Sequence, residues 1–301
     1  MSGLRRLALI AAAVGAATPP LRRRLNLPKP VTSVLAFQAP VAFAWALPRT
    51  RLRDAAIYGL QMWAYVAHYE LPNDEPEELL ARVRVRYPIR IDTVLGLGQV
   101  PTIRLQRALG RYGEVRAHDK LLSGIHWSWF FVPHGSIAYV LLFHRPQFER
   151  SAVQMAAVFD LGAVAYQMLP TAPPWWAGSN GYIPHVRRIM VEAGKRVWGR
   201  HWEPLYDSLG TNPFAAMPSL HFATSVMAAH VLADTGPVAG ALGWTYAATL
   251  GFALVYLGEH YVADLIAGWA VAEGVRRAAP HVAPYIRSAQ QAIQRLEPRG
   301  A

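Results

Sequence analysis

Three ionisable side chains in the C-terminal third of the chain have the types and spacing needed for nucleophilic chemistry. His260 and Asp264 are four residues apart in a predicted helix, so they lie on the same helical face. A carboxylate in that position accepts a proton from one ring nitrogen and leaves the other nitrogen free to attack. His221 belongs to a different predicted helix and can protonate a leaving oxygen. Such a pair suits displacement at phosphorus, in which one histidine attacks and the other protonates what leaves.

Several neighbouring residues are candidates for holding a phosphate or its headgroup. The predicted helix that carries His221 begins near Ser219, where free backbone N–H groups and a hydroxyl can face phosphate oxygens. Cations are expected from Arg187 and Arg188, which follow a pair of tryptophans most closely. Glu259 is either a headgroup-binding residue or an ordinary loop residue. Trp175 is either a substrate contact or part of an interfacial aromatic belt.

A metal site is the chemical alternative for the same residues, because two histidines and one aspartate can form a facial triad. Glu259 is the one further carboxylate with suitable spacing. His126 and His134 lie eight residues apart on one predicted helix, and we interpret them as hydrogen-bonded structural groups.

The composition indicates that membrane helices position these groups. The 301 residues are 53% hydrophobic and 16% charged, and soluble domains usually have about 25% charged residues. The absence of cysteine excludes a disulfide scaffold, a thiolate metal site and a cysteine nucleophile. The net charge of +11 comes largely from arginines that flank apolar stretches. That placement favours membrane topology and anionic lipid over nucleic acid as its explanation.

The predicted fold is an all-α polytopic membrane bundle with a six-helix core. Residues 54–277 form the catalytic domain, residues 278–301 form a cytoplasmic tail, and residues 1–53 contribute one or two further membrane-associated segments. Because consecutive helices alternate in direction, all three polar motifs are expected at the same membrane face. The six predicted helices cover residues 54–71, 121–143, 151–169, 214–233, 238–257 and 260–275.

Residues 1–53 are compatible with several interpretations. Residues 7–17 are apolar but short and follow two arginines, which also resembles a signal peptide. Residues 31–47 contain Pro40 and fit a re-entrant or interfacial segment as well as a seventh helix.

Arginines near the helix ends predict the orientation. Positively charged residues favour the cytoplasmic side, and the predicted helix ends on one side carry arginines at positions 49, 51, 53, 145, 150, 276 and 277. The active site is then expected on the extracytoplasmic face of the cell membrane.

Three motifs resemble those of a known family. Pro218-Ser219-Leu220-His221, followed later by Gly258-Glu259-His260-Tyr261-Val262-Ala263-Asp264, resembles the second and third signatures of the type 2 phosphatidic acid phosphatase superfamily. The stretch Pro170-Thr171-Ala172-Pro173-Pro174-Trp175 resembles its inositol phosphorylceramide synthase branch. The resemblance implies a phosphohistidine on His260, Asp264 as its orienting carboxylate and His221 as acid and later base. It implies no metal or other cofactor.

The departures from the phosphatase pattern favour a lipid phosphotransferase. The lysine of the first signature is replaced by Ala138, and Arg145-Pro146 lies at the wrong face. Ala253-Leu254 stands at the Ser-Arg position of the third signature, and Leu220 replaces a glycine.

The sequence therefore predicts an enzyme that transfers an inositol phosphate-like unit from a phospholipid to a hydroxyl acceptor. A lipid phosphate phosphatase that uses water is the first alternative, and a transporter or scaffold without catalysis is the second. The expected partners are a lipid phosphate or phospholipid and the membrane, without nucleic acid, and the oligomeric state stays open.

Overall fold

The computed structural model describes residues 3–208 and 212–296, and helices account for nearly all of the regular structure there. The helices in chain order are α1 (Gly3–Leu21), α2 (Lys29–Ala46), α3 (Arg51–Glu70), α4 (Pro76–Arg82), α5 (Arg86–Leu95), α6 (Pro101–Leu109), α7 (Ala117–Ser128), α8 (Val132–Phe143), α9 (Arg145–Met168), α10 (Pro174–Ser179), α11 (Ile189–Trp198), α12 (Trp202–Ser208), α13 (Leu220–Ala233), α14 (Pro237–Tyr256) and α15 (Val262–Leu296).

The all-α prediction is confirmed for the residues that the structure describes. Two isolated parallel bridges, which join Arg84 to Thr171 and Thr171 to Ala215, are the β-type pairing present there. Within those same residues, one helix, α14, is long and apolar enough to cross a membrane, and α8 and α13 are shorter apolar helices. That the bundle spans a membrane several times stays a prediction.

The second predicted helix is two helices in the structure. α7 ends at Ser128 and α8 begins at Val132, with Pro133 in the first turn of α8. Proline has no N–H to donate to the preceding turn, and its ring disfavours helical backbone before it. A continuous helix over residues 121–143 was therefore the wrong expectation, although both halves are helical.

Helix α13 lies at the centre of the fold. It packs against α8, α9, α14 and α15. Glycines allow two of these approaches, because a Cβ atom at Gly162 would lie 2.3 Å from Leu220, and one at Gly251 would lie 2.8 Å from Phe222. The helix that carries His221 is thus held by close packing on several sides.

The N-terminal helices form a hairpin against α3. Helix α1 packs on α2, and α2 packs on α3. Gly15 permits the first contact, since a Cβ there would lie 2.3 Å from the carbonyl oxygen of Leu35. At the end of α1, the buried guanidinium of Arg22 pairs with Asp74 at 2.9 Å and with Glu70 at 3.3 Å. Both segments that the sequence left open are therefore helical.

Helix α15 is longer than the predicted helix over residues 260–275. It continues past Pro280 and Pro284 to Leu296, so most of the segment predicted as a tail is helical. Near its start it approaches the first turn of α13, because a Cβ at Gly268 would lie 2.5 Å from the carbonyl oxygen of Ser219. This close approach sets the distance between the two helices that carry the candidate catalytic residues.

Candidate active site

The three polar motifs meet in one place, as the helix alternation predicted. The backbone N–H of Thr171 donates to the carbonyl of Phe214 at 2.8 Å, and that of Trp175 donates to Gly258 at 3.0 Å. The N–H of Ser219 donates to the carbonyl of Asp264 at 3.0 Å. Each motif is thus tied to another by its backbone, which limits how far the side chains can move apart.

Asp264, His260 and His221 form a continuous hydrogen-bonded chain. The His260 Nδ1 atom lies 3.3 Å from Asp264 Oδ2 and 3.0 Å from the carbonyl oxygen of Ala216. The opposite nitrogen, His260 Nε2, lies 3.2 Å from His221 Nδ1. Asp264 is fully buried and His260 is 4% exposed, so water is largely excluded from the contact between these two residues.

The partners of His260 determine which of its nitrogens carries a proton. Its Nδ1 atom faces only acceptors, the carbonyl of Ala216 and the carboxylate of Asp264. Nδ1 therefore carries the proton, and Nε2 holds the lone pair. His221 Nδ1 then donates to that lone pair. Asp264 is itself oriented by the backbone N–H of Tyr261, which donates to Oδ2 at 2.8 Å.

This arrangement places a ring nitrogen with a lone pair beside an N–H donor. An electrophile that approaches His260 Nε2 must displace the His221 N–H, which is then free to donate to a leaving oxygen. The geometry therefore suits an in-line displacement in which both histidines act on the same group.

A cavity of about 440 Å³ opens beside the two histidines. Its polar lining includes His221, His260, Arg188 and Glu259. Its apolar lining is strongly aromatic and includes Trp127, Phe130, Phe131, Trp198 and Trp202. A cavity that combines a polar group of residues with aromatic walls fits an amphipathic ligand.

Arg188 is the cation of this cavity. Its guanidinium pairs with Glu259 at 3.0 Å, donates to Tyr206 Oη at 2.6 Å and lies 4.1 Å from the centre of a Trp175 ring. Burial lowers the pKa of Arg188 and the charge of Glu259 raises it, and the net pKa is raised above the usual arginine value. Arg188 is therefore a permanently charged group held in position by three neighbours.

The adjacent arginine points elsewhere. Arg187 pairs with Glu192 and donates to the carbonyl oxygens of Arg111 at 2.7 Å and Glu114 at 2.8 Å. It is absent from the described cavity lining. Ser219 is fully buried and accepts the N–H of Phe222 at 3.3 Å, so its side chain caps α13. The structure thus brings Arg188, Glu259 and Trp175 to the site, and gives Arg187 and Ser219 structural contacts.

Comparison with known proteins agrees with this geometry. A profile of the PAP2 superfamily matches residues 108–276, which contain all three motifs. The chain belongs to the PAP2 superfamily. This confirms the resemblance to type 2 phosphatidic acid phosphatases that the motifs carry.

A curated relative of this PAP2 superfamily member is inositol phosphorylceramide synthase from Candida albicans (strain SC5314 / ATCC MYA-2876). The two chains are 31% identical over 150 residues, which cover 48% of this chain and 31% of the relative. The match supports the synthase-like branch of the superfamily. No solved structure matches the chain.

Asp92 is a site residue that the sequence interpretation missed. It is fully buried in α5, and its carboxylate accepts the N–H groups of Val262 at 3.0 Å and Ala263 at 2.8 Å. It therefore caps the start of α15, directly after His260. Burial raises the pKa of Asp92 to about 6, and the two amide hydrogen bonds oppose that rise. No local signal could reveal this contact, because Asp92 precedes Val262 by 170 residues.

His126 also belongs to the site, although its spacing had suggested a structural role. It lines the cavity, and its ring centre lies 4.9 Å from that of His221. His134 instead contacts Tyr58 Oη at 3.0 Å and stacks on Phe159. In the described part of the chain, no group of three or more His, Cys, Asp or Glu side chains is arranged to hold a metal ion.

Proposed function

We propose that this protein is a membrane lipid phosphotransferase that works through a phosphohistidine. The observation that carries the proposal is the chain from Asp264 through His260 to His221 beside an aromatic cavity. The substrate is a phospholipid with an inositol phosphate-like headgroup, and the acceptor is a hydroxyl group. The name of the fungal relative supports this substrate class.

The reaction consists of two displacements. In the first, His260 Nε2 forms a bond to phosphorus while the bond from phosphorus to the lipid oxygen breaks, and His221 protonates that oxygen. In the second, the acceptor hydroxyl gives its proton to His221 and bonds to phosphorus, while the bond between phosphorus and His260 breaks. Asp264 stabilises the charge that develops on His260 in both steps.

The charge of the cavity favours a phosphodiester donor. Among the cavity-lining residues that the structure describes, the Lys, Arg, Asp and Glu side chains are Arg188 and Glu259, which form an ion pair with one another. A phosphate monoester carries nearly two negative charges at neutral pH, and burying it without cations is costly. A phosphodiester carries one charge and fits this lining better. A phospholipid donor is therefore favoured over the lipid phosphate monoester that a phosphatase would use.

A transfer assay distinguishes the proposal from its alternatives. Purified protein in nanodiscs is given headgroup-labelled phosphatidylinositol, with and without a hydroxyl-bearing lipid acceptor. We expect a new labelled phosphodiester lipid that depends on the acceptor. Inorganic phosphate as the sole product, from phosphatidic acid, would indicate a phosphatase. Binding of the lipid without any product would contradict an enzyme and favour a transporter or scaffold.

We further propose that the site faces outward from the cell membrane. Arg145, Arg150 and Arg276 each contact an acidic side chain, Asp54 or Asp234. Asp54 and Arg145 lie at the starts of α3 and α9 and Asp234 follows α13, at helix ends opposite to those that carry the motifs. Because positively charged residues favour the cytoplasmic side of a membrane, these arginines support a cytoplasmic position for that end of the bundle.

This orientation can be tested because the chain has no cysteine. The exposed Ser179, five residues after Pro174, is replaced by cysteine. Ser179→Cys is expected to react with a membrane-impermeant maleimide on intact cells, whereas a cysteine at the exposed Arg277 should react only after lysis. The reverse pattern would place the active site in the cytoplasm.

A further inference from the structure

Phosphate recognition in this cavity lacks the usual supply of cations. Arg188 is already paired with Glu259, and Arg187 is occupied by Glu192 away from the cavity. A transferred phosphoryl group still needs donors for its non-bridging oxygens, because charge builds on them in the transition state. The donors must therefore include neutral N–H groups of the cavity wall.

His126 has an unused nitrogen in that wall. The side chain is 6% exposed, and its Nδ1 atom is buried without a hydrogen-bond partner among the described residues. Buried polar atoms in folded proteins are nearly always paired, so an unpaired one at a cavity indicates a ligand. His126 is also close to the reacting groups, since its ring centre lies 4.9 Å from that of His221.

Trp175 has another unused donor on the same cavity, where Trp127 Nε1 and Asn212 Nδ2 are also unpaired among the described residues. The Trp175 Nε1 atom is buried and has no partner in the part of the chain that the structure describes. An indole N–H can only donate, so it requires an acceptor atom. The guanidinium of Arg188 lies over the Trp175 ring, 4.1 Å from its centre, and this contact helps to hold the ring in its orientation. Both residues line the cavity that holds His260.

We propose that His126 Nδ1 and Trp175 Nε1 donate hydrogen bonds to the non-bridging oxygens of the bound phosphoryl group. The inference rests on the proposed function, because it assumes that the phosphorus atom binds beside His260. His126 then carries its proton on Nδ1, and neutral donors do the work of the absent lysine and arginines. Neutral donors also suit the singly charged phosphodiester that the cavity favours.

The test measures binding of dimethyl phosphate, a singly charged phosphodiester, by the purified protein in phosphatidylcholine nanodiscs. Trp175→Phe keeps the ring but removes the N–H, and His126→Leu removes the imidazole. Each is expected to weaken binding of dimethyl phosphate about 10-fold, which is typical for a lost hydrogen bond to a charged group. His126→Asn places an amide N–H close to the position of Nδ1 and is expected to restore affinity to within about 3-fold of wild type.

His134→Leu is the matched control, because His134 lies outside the described lining of the cavity and contacts Tyr58. It should bind dimethyl phosphate as wild type does. Thermal unfolding of each variant reports whether the fold is intact, and Trp175→Phe decides the outcome if His126→Leu unfolds. Wild-type affinity in both Trp175→Phe and His126→Leu would overturn the inference, as would an equal loss in His126→Asn and His126→Leu.

Because binding of dimethyl phosphate does not require turnover, this experiment remains informative if the transfer assay fails. Loss of dimethyl phosphate binding in the two variants, with no transfer by wild type, would support the donor assignment and contradict the transferase. Normal transfer by wild type, with unchanged dimethyl phosphate binding in the variants, would support the transferase and contradict the donor assignment.

Discussion

Replacing His260 with asparagine is expected to reduce turnover of the phospholipid donor by at least about 10⁴-fold, because the attacking nitrogen is removed. The rest of the cavity wall, including Arg188 and His126, is not substituted in this variant. Substrate binding should therefore change much less than turnover. The measurement is the rate of label transfer in nanodiscs at equal amounts of inserted protein.

The same variant tests the intermediate directly. Wild-type protein that has been mixed with labelled donor and quenched in alkali should retain label on a histidine, and His260→Asn should retain none. His134→Asn is the matched control, since His134 is a helix histidine of the same bundle that contacts Tyr58 and Phe159. More than about a tenth of wild-type turnover in His260→Asn would rule out His260 as the nucleophile, because removal of a nucleophile lowers turnover far more than that.

Replacing His221 with leucine is expected to cost about 10²–10⁴-fold in turnover, with a size that depends on the leaving group. A lipid alcohol is a poor leaving group and needs the proton of His221. In a donor analogue that carries p-nitrophenol, the nitrophenolate group can leave without that proton. The loss of rate in the first displacement should therefore shrink to about 10-fold or less. The measurement is the burst of nitrophenol release compared with release of the natural alcohol.

His260→Asn provides the contrast, because a missing nucleophile impairs both donors equally. The hydrogen bond from His221 Nδ1 to His260 Nε2, at 3.2 Å, is also removed in His221→Leu. If that bond only held His260 in place, the loss would be the same with both donors. An equal loss would therefore reduce His221 to a positioning residue.

The contact between His260 and Asp264 and the superfamily could be predicted from the sequence because the signals are local. His260 and Asp264 share a helical face at a spacing of four residues, and the structure places their side chains 3.3 Å apart. The convergence of the motifs followed from counting helices, since a helix returns the chain to the opposite end of the bundle. The broken helix at residues 129–131 was missed, although Pro133 is a local signal for it.

The tertiary structure decided which neighbours serve the site. Arg187 and Arg188 are neighbouring residues of the same type, yet Arg187 pairs with Glu192, whereas Arg188 pairs with Glu259 beside His260. Residue type does not determine this choice, which depends on which partner the fold brings within reach of each side chain.

The contacts of Asp92 and His126 have the same origin. Asp92 caps α15 across 170 residues, and His126 reaches His221 because α7 packs into the same bundle. Periodicity describes only the face of a single helix, whereas these contacts depend on how helices pack against one another. The sequence by itself determined the helical class, the superfamily and the pairing of His260 with Asp264. Only packing determined the cation, the cap and the unpaired donors of the cavity, because each depends on partners that are distant along the chain.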